Sequence, residues 1–169
     1  MSEIVNRVAN SGLVTIDLGN YYPQGERTVI DLKDQLWQGL AVREKDFRAW
    51  VKENDWSVYT DKHVAVHCSE DAIIPAWAYM LVAAELKYIA RSIWFGTPDQ
   101  LEADLWKVEL SQIDAEDYVD ARIVIKGCGD HETPPVVYIL LTNKLQSVAK
   151  SIMYGEPCST VPVWKRPRK

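Results

Sequence analysis

Apolar and polar residues change their period along this chain, and the changes mark out its elements. Residues 11–18 (Ser-Gly-Leu-Val-Thr-Ile-Asp-Leu) alternate in character between Gly12 and Gly19 and are predicted to form a strand. Residues 21–25 (Tyr-Tyr-Pro-Gln-Gly) have turn chemistry, and a second strand is predicted over Thr28–Leu32. Residues 43–53 place Phe47, Trp50 and Val51 at helical spacing among charges, which predicts an amphipathic helix. Residues 36–42 show no decisive period.

From Asp61 onward the pattern is strand, loop, apolar helix, strand, and it occurs twice. One copy runs from Val64-Ala65-Val66-His67-Cys68 through Pro75 and Tyr79 to Ala90-Arg91-Ser92-Ile93-Trp94-Phe95-Gly96. The other runs from Val124-Ile125-Lys126-Gly127-Cys128 through Pro134 and Tyr138 to Ala149-Lys150-Ser151-Ile152-Met153-Tyr154-Gly155. On this alignment Cys68 and Cys128 occupy equivalent junctions, while Cys158 stands where the first copy has Asp99. The helix after Cys68 is apolar nearly all round, which predicts a central helix covered on more than one side. Between the copies, Thr97-Pro98-Asp99 reads as a helix start, with Leu101, Leu105 and Val108 as its buried stripe. Residues 114–120 are a polar connector, Arg122–Lys126 a strand, Pro134–Val148 a helix and Ser151–Tyr154 its returning strand. Successive strand-helix-strand units favour parallel pairing. The expected fold is therefore three-layer α/β, with a mainly parallel sheet built from the two units plus the N-terminal strands. It occupies one domain, 1–169, with repeat-like halves at about 61–110 and 120–162.

Composition narrows the function. Hydrophobic residues make up 47% and charged residues 25%, ordinary values for a globular chain, and the seven tryptophans suggest a well-packed core or an aromatic surface. A formal charge of -5 gives no general attraction to nucleic acid or anionic membrane. No signal region or membrane-spanning run is apparent, so a cytoplasmic location is expected. Three cysteines do not make a secreted disulfide framework, and reduced thiols follow. The basic end, Trp164 to Lys169, reads as a frayed solubilising tail.

Candidate chemistry centres on the thiols. In parallel α/β sheets ligands bind outside the carboxyl ends of the strands, where Cys68, Cys128 and Cys158 are expected to emerge. Thiolates are soft donors, and three of them leave a position open on iron or zinc, or could hold an iron–sulfur cluster. His67, Asp71, Asp130, His131 and Glu156 are candidate fourth ligands, and His63 is read as structural. The competing readings are small buried hydrophobes, or a nucleophile at Cys68 with His67 or Asp71 as base. No arginine follows Cys68 to complete a phosphatase loop, and no nucleotide-binding glycine motif or G-x-S-x-G elbow is present. Trp77, Tyr79, Trp94 and Tyr138 fall on apolar segments and are expected in the core.

The string Cys68-Ser69-x-Asp71-Ala72-Ile73-x-Pro75-x-Trp77-Ala78-Tyr79-Met80-Leu81 resembles bacterial domain-of-unknown-function family 2480. Lys126-Gly127-Cys128, Tyr154 to Pro162 and Arg43 to Arg48 extend the likeness over almost the whole chain. The resemblance implies no activity. It implies a genetic context of iron–sulfur cluster assembly, and all three cysteines lie within the characteristic strings. The leading expectation is a metal or iron–sulfur accessory protein with assembly proteins as partners. A non-catalytic adaptor with buried reduced cysteines and a thiolate enzyme are the alternatives.

Overall fold

The computed structural model describes residues 12–127 and 129–167. In chain order the strands and α-helices are β1 (Leu13–Asp17), β2 (Arg27–Asp31), α1 (Glu44–Glu53), β3 (His63–His67), α2 (Ala76–Leu86), β4 (Ser92–Phe95), α3 (Pro98–Ser111), β5 (Arg122–Lys126), α4 (Pro135–Gln146), β6 (Ser151–Glu156) and β7 (Ser159–Lys165). The fold is α/β with mainly parallel strands, built from two similar strand-helix-strand units, each with an N-terminal strand added. The chain divides into an inserted unit, Gln24–Glu102, and a split unit formed by the residues up to Pro23 and from Ala103 onward.

The inserted unit carries a parallel sheet of order β2-β3-β4. The split unit carries β1-β5-β6-β7, in which only β7 runs antiparallel to its neighbour. The two N-terminal strands thus serve different sheets: Leu13–Asp17 aligns with Arg122–Lys126, and Arg27–Asp31 with His63–His67. Both central strands are buried on both faces. Val64, Ala65 and Val66 are buried in β3, and Ile123, Val124 and Ile125 in β5, which explains the unbroken apolar runs.

The structural repeat is longer than the one legible in the sequence. Asp17 and Asp31 each end a first strand and cap a single turn of 3-10 helix, Leu18–Tyr21 and Leu32–Gln35. Asp55 and Asp114 cap equivalent turns before the central strands. Asp61 and Asp120 follow with left-handed φ of 57° and 58°, and each donates its N–H at 3.0 Å, to the carbonyls of Ile89 and Val148 respectively. Aspartate tolerates this conformation better than most residues, which suits it to both positions.

The helices after the central strands correct the expectation of all-round burial. Only one stripe of α2 is buried, Ala78, Val82 and Leu86, while Met80 is 69% exposed. The matching stripe of α4 is Val137, Leu141 and Leu145, with Ile139 67% exposed. Spacing of four residues aligns each stripe on one helix face against the sheet, and the remaining apolar residues point elsewhere. Val108 of α3 is likewise exposed, its expected place in the buried stripe taken by Trp106 and Leu110. The helix starts at Pro98 as expected, and Thr97 and Gln100 close a reciprocal capping box there.

The C-terminal residues also depart from expectation. Trp164 and Lys165 belong to β7, and Arg166 pairs with Asp120 and donates to the Val148 carbonyl. Arg168 and Lys169 lie outside the described residues, as does Ser11 at the start of the first predicted strand. Among the described residues, no helix is long and apolar enough to cross a membrane.

These burial patterns separate two apolar residues on one helix. Leu141→Ala should cost about 2–5 kcal/mol, whereas Ile139→Ala should stay within about 0.5 kcal/mol of wild type in denaturant unfolding.

Candidate functional site

The carboxyl end of the inserted unit's sheet gathers Asp31, His67, Cys68 and Ser69. Asp31 Oδ1 accepts from the backbone N–H groups of Lys33 at 3.1 Å and Ser69 at 3.0 Å. Burial works to raise the pKa of this carboxyl, but the Ser69 side chain, the two backbone donors and the charge of His67 outweigh it and hold it at about 2. Asp31 therefore ties the loop after β3 to the end of β2. Cys68 is half-buried against the unit's core, close to Tyr79, whose hydroxyl is pushed up by burial and then by the charge a Cys68 thiolate would carry. The Tyr79 ring meets Phe95 edge-on at 5.3 Å.

His63 is structural, as expected. It is 8% exposed, with Nδ1 2.6 Å from Ser92 Oγ and Nε2 2.9 Å from the Gln24 carbonyl. Gly25 makes room for it, because a Cβ there would lie 2.9 Å from His63 Nε2 and 2.7 Å from an Arg91 guanidinium nitrogen.

The equivalent end of the split unit has different chemistry. Lys126 Nζ lies 3.4 Å from Asp17 Oδ2 and 3.5 Å from Glu156 Oε1, and these carboxylates, Asp17 first, raise its pKa. The strand registers put His67 opposite Asp31 and Lys126 opposite Asp17, so Cys68 corresponds to Gly127 and Ser69 to Cys128. The alignment of Cys68 with Cys128 is corrected by one position. Gly127 leaves space for a tyrosine: a Cβ there would stand 3.0 Å from the Tyr138 hydroxyl. The Tyr138 ring in turn meets Tyr154 edge-on at 5.5 Å.

The proposed thiol ligands are distributed between the units. Cys68 follows β3 in the inserted unit, and Cys158 is exposed in the turn between β6 and β7 of the split unit. Cys128 lies outside the described residues. Among the described residues, no three His, Cys, Asp or Glu side chains are grouped to hold a metal ion. Of the candidate fourth ligands, Glu156 pairs with Lys126, and His131 stacks on Tyr22 at 3.8 Å with rings 14° from parallel. His67 faces Asp31 electrostatically, while Asp71 and Asp130 are exposed. Trp77, Tyr79 and Tyr138 pack half-buried against the two cores; Trp94 is half-buried and donates Nε1–H to Ser92 Oγ at 2.7 Å.

Sequence reasoning missed an apolar groove in the split unit. A groove of about 660 Å³ lies between α4 and the β6–β7 hairpin. Ile125, Met153 and Tyr154 line it from the sheet, Val161 and Val163 from β7, and Tyr138, Ile139, Thr142, Asn143 and Gln146 from α4. Among the described residues no charged side chain lines it. Opposite Ile152 and Met153 the pairing skips Val163, a one-residue bulge in β7 beside the groove. Two signals were present in the sequence: the alternation Val161-Pro162-Val163, and Thr142-Asn143 on a helix whose other copy has Ala83-Ala84.

A family model described as "Protein of unknown function (DUF2480)" matches residues 2–166. No curated protein and no solved structure matches the chain.

The depressed Asp31 carboxyl gives a pH signature. Its folded pKa lies below the unfolded value of 3.8, so its contribution is full above pH 4 and is lost as pH falls toward 2. Asp31→Asn should be less stable than wild type by on the order of 1 kcal/mol near neutrality, after allowance for solvent screening. The gap should close between pH 4 and pH 2 in urea titrations.

Proposed function

The chain belongs to the DUF2480 family, described without an activity, and from that premise we propose that it is a non-catalytic binding protein whose small-molecule ligand sits in the groove between α4 and the β6–β7 hairpin. The observation that carries this reading is the groove's combination of size and lining. A volume near 660 Å³ falls within the ~300–1,000 Å³ of small-molecule sites, and an apolar lining with a few polar groups is their usual composition. Exposed apolar residues converge there: Ile139 is 67% exposed, Val161 61% and Val163 52%. Leaving several such side chains in water favours an occupant that covers them. Among the described residues the groove's lining has two tyrosines and the Thr142 hydroxyl but no carboxylate, histidine, lysine or thiol, which favours binding over catalysis. Pro162 removes a backbone donor from the edge strand β7, which disfavours an occupant that adds as a further strand. The reading keeps the cytoplasmic location expected from the sequence.

The neutral dye Nile red tests it. The wild-type chain should take up the dye with saturable fluorescence, and Ile139→Glu and Val161→Glu should each weaken uptake about tenfold or more, because a carboxylate is costly against an apolar ligand. Both positions are exposed, so the thermal midpoint should hold. Undiminished uptake by both variants would move the site elsewhere and overturn the reading.

A second reading is a transition metal (iron or zinc) or iron–sulfur cluster held by Cys68, Cys128 and Cys158, in an accessory role beside cluster-assembly proteins. It is supported by the position of Cys68 directly after a parallel strand and by the exposure of Cys158. Elemental analysis of anaerobically purified chain beside the triple cysteine-to-serine variant decides it. Stoichiometric metal lost in the variant supports this reading, and background metal in both removes it.

A further inference from the structure

We infer that the ligand of this groove is an uncharged amphiphile: an apolar body with one amide-like or carbonyl-bearing edge, hydrogen-bonded by Thr142, Asn143 and Gln146. The inference rests on the groove reading above and names its ligand class.

The duplicated architecture supplies an internal control. In both units the helix after the central strand buries an equivalent stripe, Ala78-Val82-Leu86 in α2 and Val137-Leu141-Leu145 in α4. The fold thus specifies those positions and leaves the neighbouring face free. On that face α2 has Ala83, Ala84 and Lys87, where α4 has Thr142, Asn143 and Gln146. Alanine is the better helix former, and asparagine and threonine are among the poorer ones, so helix stability does not account for the exchange. Nor does internal bonding. Lys144, on the same helix, donates to the Leu110 and Ser111 carbonyls, whereas among the described residues no hydrogen bond engages the side chains of Thr142, Asn143 or Gln146.

Position gives these groups a use. Residues 142, 143 and 146 fall within one helical turn or its immediate continuation, forming a polar edge above an otherwise apolar and aromatic trough. Hydroxyl and carboxamide groups donate and accept at once. With neither carboxylate nor cation among the described lining residues, an ionic ligand would lose hydration without gaining a counter-charge. A neutral amide or ketone edge loses less and is met by donors already in place. The other unit lacks an equivalent of β7, so the polar edge occurs where a second wall closes the trough. The two additions coincide.

Competition for Nile red on the full chain tests this with three probes of similar shape: 2-naphthamide, 2-naphthoate and 2-methylnaphthalene. The amide should displace the dye at about tenfold lower concentration than either of the others, the effect of one to two net hydrogen bonds. In the Asn143→Leu/Gln146→Leu double variant the amide and 2-methylnaphthalene should displace the dye at about equal concentrations, a ratio that is read whatever the dye's own affinity becomes. Equal displacement by all three probes in wild type would overturn the inference and leave the groove reading standing. Stronger displacement by the carboxylate, or an amide preference that survives in the double variant, would also overturn it. Absence of dye uptake by wild type would overturn both.

Discussion

The pairing of β1 with β5 is the constraint on which the split unit depends. Leu13 aligns with Arg122 and Asp17 with Lys126, so the first strand described must wait for a partner that follows the whole inserted unit. Loop-closure entropy grows only slowly with length, and a compact intervening unit shortens the effective loop further. The cost of the long connection is therefore modest, and the return is burial of β5 on both faces, with Ile123, Val124 and Ile125 all nearly inaccessible. Both units use the same device at the strand ends. An aspartate closes the first strand with a 3-10 turn and faces the residue that ends the central strand, His67 in one unit and Lys126 in the other.

Duplication makes the chain its own comparison. Features common to both units, such as the capping aspartates, the left-handed Asp61 and Asp120 and the one-sided helix stripes, serve the fold. Features found in one unit alone are free for other uses. At the strand ends, the inserted unit has His67 and Cys68 where the split unit has Lys126 and Gly127. In one, a half-buried thiol lies near the Tyr79 hydroxyl; in the other, the missing side chain admits the hydroxyl of Tyr138. Beyond the returning strand, Gly96 leads into α3 and Gly155 into the β6–β7 turn. That divergence creates the groove: the antiparallel hairpin adds Val161 and Val163 as a wall facing α4, and no strand does this for α2.

The strand-end clusters and the groove suit different chemistry. Asp31 and Lys126 are already engaged with neighbouring groups that stabilise the charged forms they have at neutral pH, and Glu156 pairs with Lys126. Such groups anchor loops. The groove is the reverse case, with large apolar surface left in water and two exposed carboxamides that have no partner among the described residues. Free energy is available there to a molecule that covers the apolar surface.

By itself the sequence determined the α/β class, the tandem strand-helix-strand plan, the structural role of His63 and most helix starts. Each depends on local signals: periodicity, proline at a first helical position, a capping threonine, two copies of one motif. The tertiary structure alone decided which N-terminal strand joins which sheet, because Ile16 and Ile30 sit in nearly identical strings and nothing local tells them apart. It also decided which apolar residues are buried. Val82 and Met80 both read as core residues of α2, yet the sheet covers a single face, and hydrophobicity does not say which residues a one-sided partner will leave in water. The groove belongs to the same class of fact. The alternation of Val161 and Val163 marks a strand, but they become a wall only because β7 folds back along β6, opposite a helix more than a dozen residues earlier in the chain.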